Sequence, residues 1–356
     1  MRHTAIKGAL LLGAGAILLA GCASDTGDTP ADGGEIVPAE TALSYSQPHT
    51  DPFQNAENVG SMQAFEELGY ATIPATNADR DAAQQITDIQ TLINKGAKGL
   101  VISVGDADAI VPAIEFANES NVPIVAIDEA PASGSIAMIV RADNVHMGEL
   151  ACEEMGERVP SGSAVITLDG DPVTSNGRDR TNGFNDCMAE NYPDVELVNI
   201  ATEWDPAKAA AGIETAMNQY DNVAGIYNQS DATFFPTILD TLDSLDKLIP
   251  VGEDGHIVQV SVDASPMAMT AIRDGWLDAA IAQPMTDYID YGVDYLIRAI
   301  NGETFEPGET DHGSVIEERN GNLFDLLPTP VVTIDNVEDP ELWGNKEFAL
   351  EAFGAQ

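Results

Sequence analysis

The stretch GLVISVGDADAIVPAIEFANESNVPIVAID, residues 99–128, contains two short aliphatic runs on either side of a helical pattern. The first run, GLVISV, and the second run, PIVAID, each have the length of a buried strand. Between them, Ile110, Ile114 and Ala117 recur at the spacing that places them on one face of a helix. The stretch therefore predicts a strand, a helix and a second strand parallel to the first.

The same alternation continues along the chain from Leu43. Helical patterns cover Asp205 to Tyr220 and Asp287 to Ile300, each with apolar residues three or four positions apart. Further strand candidates are AVITLDG (164–170), VELVNIAT (195–202), NVAGIYNQS (222–230), IVQVSVDA (257–264) and AAIAQ (279–283). Strands this apolar, separated by helices, predict an α/β fold in which parallel sheets are covered by helices on both faces.

The predicted strands end in residues that suit ligand binding. In open parallel sheets, ligands bind in the crevice outside the carboxyl ends of the strands. The residues at these ends are Ser103, Asp128, Asp169, Trp204, Ser230, Asp263 and Gln283. Most of them can form hydrogen bonds with hydroxyl groups, and the tryptophan offers a flat ring. No glycine-rich phosphate-binding loop follows any of these strands, so we expect no nucleotide cofactor.

The charge of the chain limits its partners. The sequence has 15 Lys+Arg against 59 Asp+Glu, a formal net charge of -44. Nucleic acid and anionic membrane surfaces carry the same sign and would be repelled, so a neutral or cationic ligand is expected. The alternative interpretation is that the acidic excess suits a salty habitat. There the acidic surface stays hydrated, and salt screens the repulsion between its charges.

The N-terminus has the pattern of an export signal. Arg2 and Lys7 precede an apolar segment from Ala9 to Ala20 that is too short to span a membrane. The sequence LAGC at residues 19–22 resembles a bacterial lipobox, in which cleavage leaves a lipid on the cysteine, here Cys22. We expect a signal peptide over 1–22, a flexible polar tether over 23–42, and anchoring on the extracytoplasmic face of the cytoplasmic membrane. An ordinary signal peptide with an incidental cysteine is the alternative.

Two further cysteines, Cys152 and Cys187, lie in helical patterns that flank one predicted strand. An even pair in an oxidising compartment is the usual signature of a disulfide. We therefore favour a bridge between them over the alternative of two buried free thiols.

Four landmarks in order carry a resemblance to a known family: VISVGDADAI (101–110), NVPIVAID (121–128), GRDRTNGF (177–184) and VSVDASPMAMTAIRDGWLDAAIAQ (260–283). Over roughly residues 43–302 the chain resembles the sugar-binding lipoproteins of ABC importers, in the ribose-binding-protein branch of the periplasmic binding protein family. The resemblance implies two Rossmann-like lobes, each a parallel sheet flanked by helices, joined by three strand crossings. We expect the first lobe to comprise 43–143 plus 284–312. The second lobe, with a C-terminal extension, would comprise 144–283 plus 313–356.

We expect the three crossings near Ala142–Val145, Pro284–Thr286 and Asp311–Ser314. The sequence PTPVVTIDNV (328–337) is expected to form a late strand of the second lobe, and residues 339–356 a terminal helix.

The resemblance also implies a ligand site between the lobes. By this resemblance the ligand-binding residues are Asp51, Phe53, Ser103, Asp128, Glu129, Arg180, Trp204, Ser230, Asp263 and Gln283. Carboxylates suit the hydroxyl donors of a sugar, a guanidinium suits its acceptors, and aromatic rings suit its faces. Ribose binders differ at several of these positions: they carry an arginine in place of Glu129, a second aromatic ring in place of Gln54, and asparagines in place of Ser103 and Ser230. A pentose, hexose or polyol other than ribose is therefore expected.

The implied function is capture of a sugar or polyol and its delivery to the permease and ATPase subunits of an ABC transporter. We expect a monomer with no enzymatic activity, no cofactor, no metal and no nucleic acid partner. The chain contains no G-x-S-x-G or H-E-x-x-H motif and no cysteine pair at zinc spacing. A transcriptional regulator on the same fold would need a basic helix-turn-helix instead of an export signal. A sensor that presents its closed form to a membrane receptor, and a binder of a non-sugar ligand, remain alternatives.

Overall fold

The structure is a computed structural model that describes residues 37–354. The predicted signal peptide at 1–22 with Cys22, and most of the predicted tether at 23–42, lie outside the described residues. Within residues 37–354, no helix is both long and apolar enough to cross a membrane.

Fifteen strands form two sheets in the described part of the chain. They are β1 (Ala42–Gln47), β2 (Ala71–Thr72), β3 (Thr76–Asn77), β4 (Gly99–Ile102), β5 (Ile124–Ile127), β6 (Met138–Ala142), β7 (Ala164–Asp169), β8 (Glu196–Ala201), β9 (Val223–Asn228), β10 (Val258–Asp263), β11 (Ala279–Ala282), β12 (Gly308–Glu309), β13 (Val315–Arg319), β14 (Asn322–Leu327) and β15 (Val331–Val332). Every strand candidate named from the sequence is present.

Helices alternate with these strands and cover the sheets. They are α1 (Pro52–Glu67), α2 (Ala82–Asn94), α3 (Val111–Glu119), α4 (Asn144–Gly156), α5 (Ser175–Asn191), α6 (Pro206–Gln219), α7 (Asp231–Ser244), α8 (Pro266–Asp274), α9 (Met285–Ile300) and α10 (Glu347–Ala352). Two 3-10 helices cover Pro38–Glu40 and Trp343–Asn345. Several helices that follow strands begin at a capping side chain: Thr174, Asp205, Ser230 and Ser265 each accept a hydrogen bond from a first-turn amide.

The two sheets define two lobes, as predicted. The nine-stranded sheet of the first lobe has the order β12-β13-β14-β6-β5-β4-β1-β2, with β3 also paired to β1. The six-stranded sheet of the second lobe has the order β15-β11-β10-β9-β7-β8. Neighbouring strands are parallel in the interior of both sheets, whereas β12, β13 and β15 pair antiparallel at the edges. The carboxyl ends of the parallel strands therefore lie along one edge of each sheet.

The chain crosses between the lobes three times, and two crossings match the predictions. The first lies between β6 and α4, and the second lies between β11 and α9. The third was predicted near 311–314 and is instead at residues 328–330, because β14 pairs in parallel with β6 of the first lobe. The assignment of residues 313–327 to the second lobe is therefore wrong. Strand β15 pairs with β11 and belongs to the second lobe, as predicted.

The terminal segment contains less helix than the 339–356 expected from the sequence, since α10 covers only Glu347–Ala352. Its Trp343 is buried, and the indole nitrogen donates a hydrogen bond of 2.6 Å to the carbonyl oxygen of Asp263 in the second lobe. The same indole packs edge-on against Phe53 of the first lobe, with ring centroids 5.7 Å apart. The C-terminal segment thus contacts both lobes behind the cleft between them.

Candidate ligand-binding cleft

A cavity of about 320 Å³ lies between the lobes, where the carboxyl ends of the two sheets face each other. This volume is within the range of small-molecule sites. Nine of the ten predicted site residues line it: Asp51, Phe53, Asp128, Glu129, Arg180, Trp204, Ser230, Asp263 and Gln283. The predicted edge-of-sheet arrangement therefore brings residues from both lobes around one space.

Ser103 is the exception and does not line the cavity. Its side chain is fully buried at the end of β4, and its carbonyl oxygen accepts a hydrogen bond of 2.7 Å from the Gln85 side chain. The next two residues, Val104 and Gly105, line the cavity instead.

Arg180 is the buried cation of the cleft, with 2% of its surface exposed. Its Nε donates to Oδ1 of Asn144 and its Nη1 donates to the carbonyl oxygen of Gln229, both at 2.7 Å. Its Nη2 is buried and has no hydrogen-bond partner among residues 37–354. Because two nitrogens are tethered within the protein, the third has a fixed position and is available to a ligand acceptor.

Asp263 lies at the end of β10 in a network of side chains. Its Oδ2 accepts a hydrogen bond of 2.7 Å from the Ser230 hydroxyl, and its Oδ1 is 3.4 Å from Nε2 of Gln283. The Gln283 amide oxygen in turn accepts from the Tyr288 hydroxyl at 2.7 Å. Ser230 and Gln283 are thus bonded to the same carboxylate, and all three line the cavity.

Asp128 lies opposite, at the end of β5, and its Oδ1 accepts a hydrogen bond of 2.7 Å from the Asn176 side chain. Burial, and then the negative charge of Glu129, raise the pKa of Asp128 to about 7, against the opposing effects of Arg180, Asn176 and Arg141. Burial and the neighbouring Asp231 raise the pKa of Asp263 well above its ordinary value. The cleft therefore holds two carboxyl groups whose charge depends on what approaches them.

Three of the predicted site residues in the cleft have left-handed backbone conformations that are uncommon for residues other than glycine. The φ angles are 59° at Asp128, 56° at Trp204 and 110° at Asp263. Such conformations cost about 1–3 kcal/mol each and cluster at functional sites. At all three positions the chain leaves a strand or its connecting loop at the cleft, so the bend directs a functional side chain toward the cavity.

Two aromatic rings line the cleft and are supported from behind. Trp204 stacks on Phe234, with ring centroids 6.1 Å apart and planes at 16°. A side-chain carbon at Gly170 would lie 2.2 Å from the Trp204 ring, so only glycine permits this position of the indole. Phe53 packs against Trp343 with the ring planes nearly perpendicular, at 87°. These rings are placed to cover apolar faces of a ligand.

The family of the chain follows from its sequence match. Residues 43–304 match the periplasmic binding protein domain. The chain belongs to the periplasmic binding protein family. The ribose import binding protein of Escherichia coli (strain K12) is 26% identical over 253 residues, 71% of this chain and 82% of that protein. The D-apiose import binding protein of Actinobacillus succinogenes is 28% identical over 251 residues, 68% of this chain and 80% of that protein.

Solved structures agree with this family fold. A solute-binding protein of an ABC transporter from Mycobacterium smegmatis with bound glycerol has a TM-score of 0.72 at 22% identity, covering 83% of this chain and 95% of that one. One from Bacillus halodurans with bound myo-inositol has a TM-score of 0.73 at 18% identity, covering 86% and 98%. The periplasmic binding protein type I fold is confirmed. Both curated relatives are named as import binding proteins, the class of protein expected from the sequence.

Gln54, Asn176 and Arg80 are among the residues of this periplasmic binding protein that line the cleft although the sequence did not single them out as ligand contacts. Gln54 follows Phe53 on α1, and its buried Oε1 has no hydrogen-bond partner in the described part of the chain. Arg80 of the first lobe reaches the carbonyl oxygens of Glu203 and Trp204 in the second lobe at 3.4 and 3.2 Å. The sequence signal for Gln54 is that it stands where ribose binders carry a second aromatic ring.

Asp51 is placed less favourably than predicted, although it lines the cavity. It caps α1, because its Oδ1 accepts from the Gln54 amide at 2.8 Å, and its Oδ2 is 2.8 Å from the His49 ring. Both carboxylate oxygens thus already have partners within the first lobe.

Stability of the ligand-free protein should fall as the pH rises from acidic to neutral. Burial is the largest of the causes that raise the pKa of Asp128 to about 7 and the pKa values of Asp169 and Asp231 to about 6. An aspartate in the unfolded chain has a pKa of about 3.9. Between these values the folded state binds more protons than the unfolded state, so the free energy of unfolding decreases with pH by about 1.4 kcal/mol per unit for each such group.

Urea denaturation at about pH 5 and about pH 7.5 measures this dependence. We expect Asp128→Asn to show a smaller difference between the two pH values than the unmodified protein does. Equal differences in both proteins would contradict the assigned shift, whatever the contribution of the remaining acidic surface.

Proposed function

We propose that this protein captures a neutral sugar or polyol in the cleft between its lobes and delivers it to the permease of an ABC transporter. The observation that carries the proposal is the buried Nη2 of Arg180, which has no partner within residues 37–354 and belongs to a side chain that lines the cleft. A buried donor without a partner costs free energy, so a ligand acceptor that bonds to it gains affinity.

The remaining cleft groups suit the other parts of a polyhydroxylated ring. Asp128 and Asp263 accept hydrogen bonds from hydroxyl groups, and the Gln54 amide offers a further acceptor. Phe53 and Trp204 suit the C–H faces of the ring. The relatives are named as import binding proteins for ribose and D-apiose, which supports a small polyhydroxylated compound as the ligand class. The glycerol and myo-inositol bound in the solved structures support the same class.

Binding of this kind works by closure of the lobes. A ligand that contacts Arg180 in the second lobe and Asp128 in the first stabilises the closed arrangement over the open one, because only the closed arrangement offers both contacts. The closed form then docks on the permease, and the ATPase subunit drives release. No covalent step is involved.

The cellular setting is part of the proposal. A lipid on Cys22, with residues 23–42 as a tether, would hold a monomeric protein at the extracytoplasmic face of the cytoplasmic membrane. The LAGC sequence and the polar, acidic segment after it support this placement.

Isothermal titration calorimetry against pentoses, hexoses, polyols and amino sugars tests the proposal. We expect one member to bind at one-to-one stoichiometry with a Kd of about 1 μM or tighter, the range in which a few buried polar contacts and two stacking rings operate. Absence of binding across the panel would contradict capture of a sugar and favour a non-sugar ligand.

A further inference from the structure

Seven consecutive residues of the second lobe, 173–179, receive most of the direct contacts that the first lobe makes across the cleft. We call these residues the α5 amino end, because they comprise the loop before α5 and its first turn. The amide of Ala107 donates to the carbonyl oxygen of Val173 at 3.2 Å, and the amide of Ala130 donates to the Ser175 hydroxyl at 2.9 Å. These bonds join the two lobes, so opening of the cleft breaks them.

Glu129 makes the charged part of this contact. Its Oε2 accepts hydrogen bonds from the Ser175 hydroxyl at 2.6 Å and from the Asn176 amide at 3.0 Å. Glu129, Ser175 and Asn176 are all buried. The carboxylate therefore already has two partners on the opposite lobe, which differs from the ligand contact that the sequence predicted.

The α5 amino end is suited to receive this carboxylate. The first amides of a helix lack partners within the helix, and its dipole favours a negative charge there. Thr174 of the same lobe satisfies only one of them, by accepting from the Gly177 amide at 3.1 Å. Glu129 satisfies the Asn176 amide from the other lobe, so α5 gains a second cap only when the lobes are closed.

The side chain of Asn176 then connects two buried charged residues of the first lobe. Its Nδ2 donates to Asp128 Oδ1 and its Oδ1 accepts from Arg141 Nη2, both at 2.7 Å. Arg141 also forms an ion pair of 3.0 Å with Asp179 of the α5 amino end. A single amide thus fixes the orientation of the Asp128 carboxylate within the cavity.

We propose that Asn176 is a positioning residue for ligand capture, brought against Asp128 by the cross-lobe contact of Glu129 with the α5 amino end. The inference rests on the proposed function, because it concerns how the carboxylate of Asp128 is oriented toward the ligand. Closure of the lobes and orientation of Asp128 are thereby coupled: the bond that orients the carboxylate exists only while the lobes are together.

Two substitutions test this coupling through the ligand. Using the sugar identified by calorimetry, we expect Asn176→Ala and Glu129→Gln each to weaken binding by about tenfold, the size expected for loss of a charge-assisted hydrogen bond. The loss should appear mainly as faster dissociation, since the contacts form after the first encounter. Glu190→Gln is the matched control, because it removes one charge from an exposed position of α5 away from the cleft.

A double-mutant cycle separates contact from general electrostatics. Ser175→Ala removes a partner of Glu129 from the other lobe without changing charge, so its effect on affinity should be less than additive with that of Glu129→Gln. Additive effects, or wild-type affinity in Asn176→Ala and Glu129→Gln, overturn the inference while leaving sugar capture in place.

Amide hydrogen exchange provides a readout that needs no ligand. In the ligand-free protein, exchange at the Asn176 amide should be faster in Glu129→Gln than in wild type, whereas exchange at Gly177, capped within its own lobe, should be unchanged. If no sugar binds, the proposed function fails and this comparison decides the inference. Equal exchange at Asn176 in both proteins overturns it.

Discussion

Replacing Arg180 with alanine is expected to weaken ligand binding by about thirtyfold or more, in line with the roughly 2–5 kcal/mol that truncating one partner of a buried charged contact costs. The substitution removes the buried Nη2 that has no partner within residues 37–354. It also removes the positive charge whose presence lowers the pKa values of Asp128 and Asp263, after larger opposing effects of burial. Both carboxyl groups then favour the neutral form. The ligand therefore loses the donor that its acceptor bonds to, and it also loses charged carboxylate partners.

Arg178→Ala is the matched control for this experiment. It removes the same charge two residues earlier in the same helix, where the Arg178 guanidinium donates to the carbonyl oxygen of Pro172 at 2.9 Å and does not line the cleft. Calorimetry should give nearly wild-type affinity for Arg178→Ala. Thermal melting should establish that Arg180→Ala is folded, since Asn144 and Gln229 each lose a hydrogen bond. A folded Arg180→Ala protein with wild-type affinity would contradict the role of this residue.

The interior of the fold could be predicted because each buried parallel strand carries its own signal. Runs such as residues 99–104 and 258–263 are apolar over the length of a strand and are flanked by helical patterns. The hairpin of β13 and β14 carries no such signal. Strand β13 is largely exposed and contains three charged residues, and β14 joins the first sheet only by pairing with β6, far away in sequence. Local periodicity does not report such a pairing, so the third crossing was misplaced.

The sequence predicted those residues of the candidate site that lie at the ends of strands. Asp128 and Asp263 lie at strand ends, and parallel strands bring such ends to one edge. Gln54 and Asn176 instead lie in the first turns of helices, and their roles depend on what faces them across the cleft. Glu129 shows the limit most clearly, because its partners Ser175 and Asn176 lie on the other lobe and are invisible to any local pattern.

Breaking the bridge between Cys152 and Cys187 is expected to lower the free energy of unfolding substantially. The structure joins the two sulfur atoms at 2.01 Å, with the Cα atoms 6.2 Å apart and a sequence separation of 35 residues. A loop of this length restricts the unfolded chain enough to stabilise the folded state by about 3–4 kcal/mol. The bridge links α4 and α5, the two helices that supply Asn144 and Arg180 to the cleft.

Close packing of these helices does not depend on the bridge. A side-chain carbon at Gly148 would lie 2.5 Å from the carbonyl oxygen of Arg180, and one at Gly183 would lie 2.0 Å from that of Val145, so the two glycines allow the backbones to approach. Breaking the disulfide should therefore lower stability mainly through the unfolded state and leave the cleft geometry, and with it ligand affinity, largely intact.

Urea denaturation of the oxidised protein, the reduced protein and the double variant Cys152→Ala/Cys187→Ala measures this contribution. We expect the reduced protein and the double variant to unfold at similar, lower urea concentrations, with a free energy of unfolding about 3–4 kcal/mol below that of the oxidised protein. The reduced protein has the same sequence as the oxidised one, so it controls for the side-chain volume that alanine removes. Identical unfolding curves with and without reductant would show that the bridge does not stabilise the fold, and a large loss of ligand affinity on reduction would show that it positions α5 in the folded state.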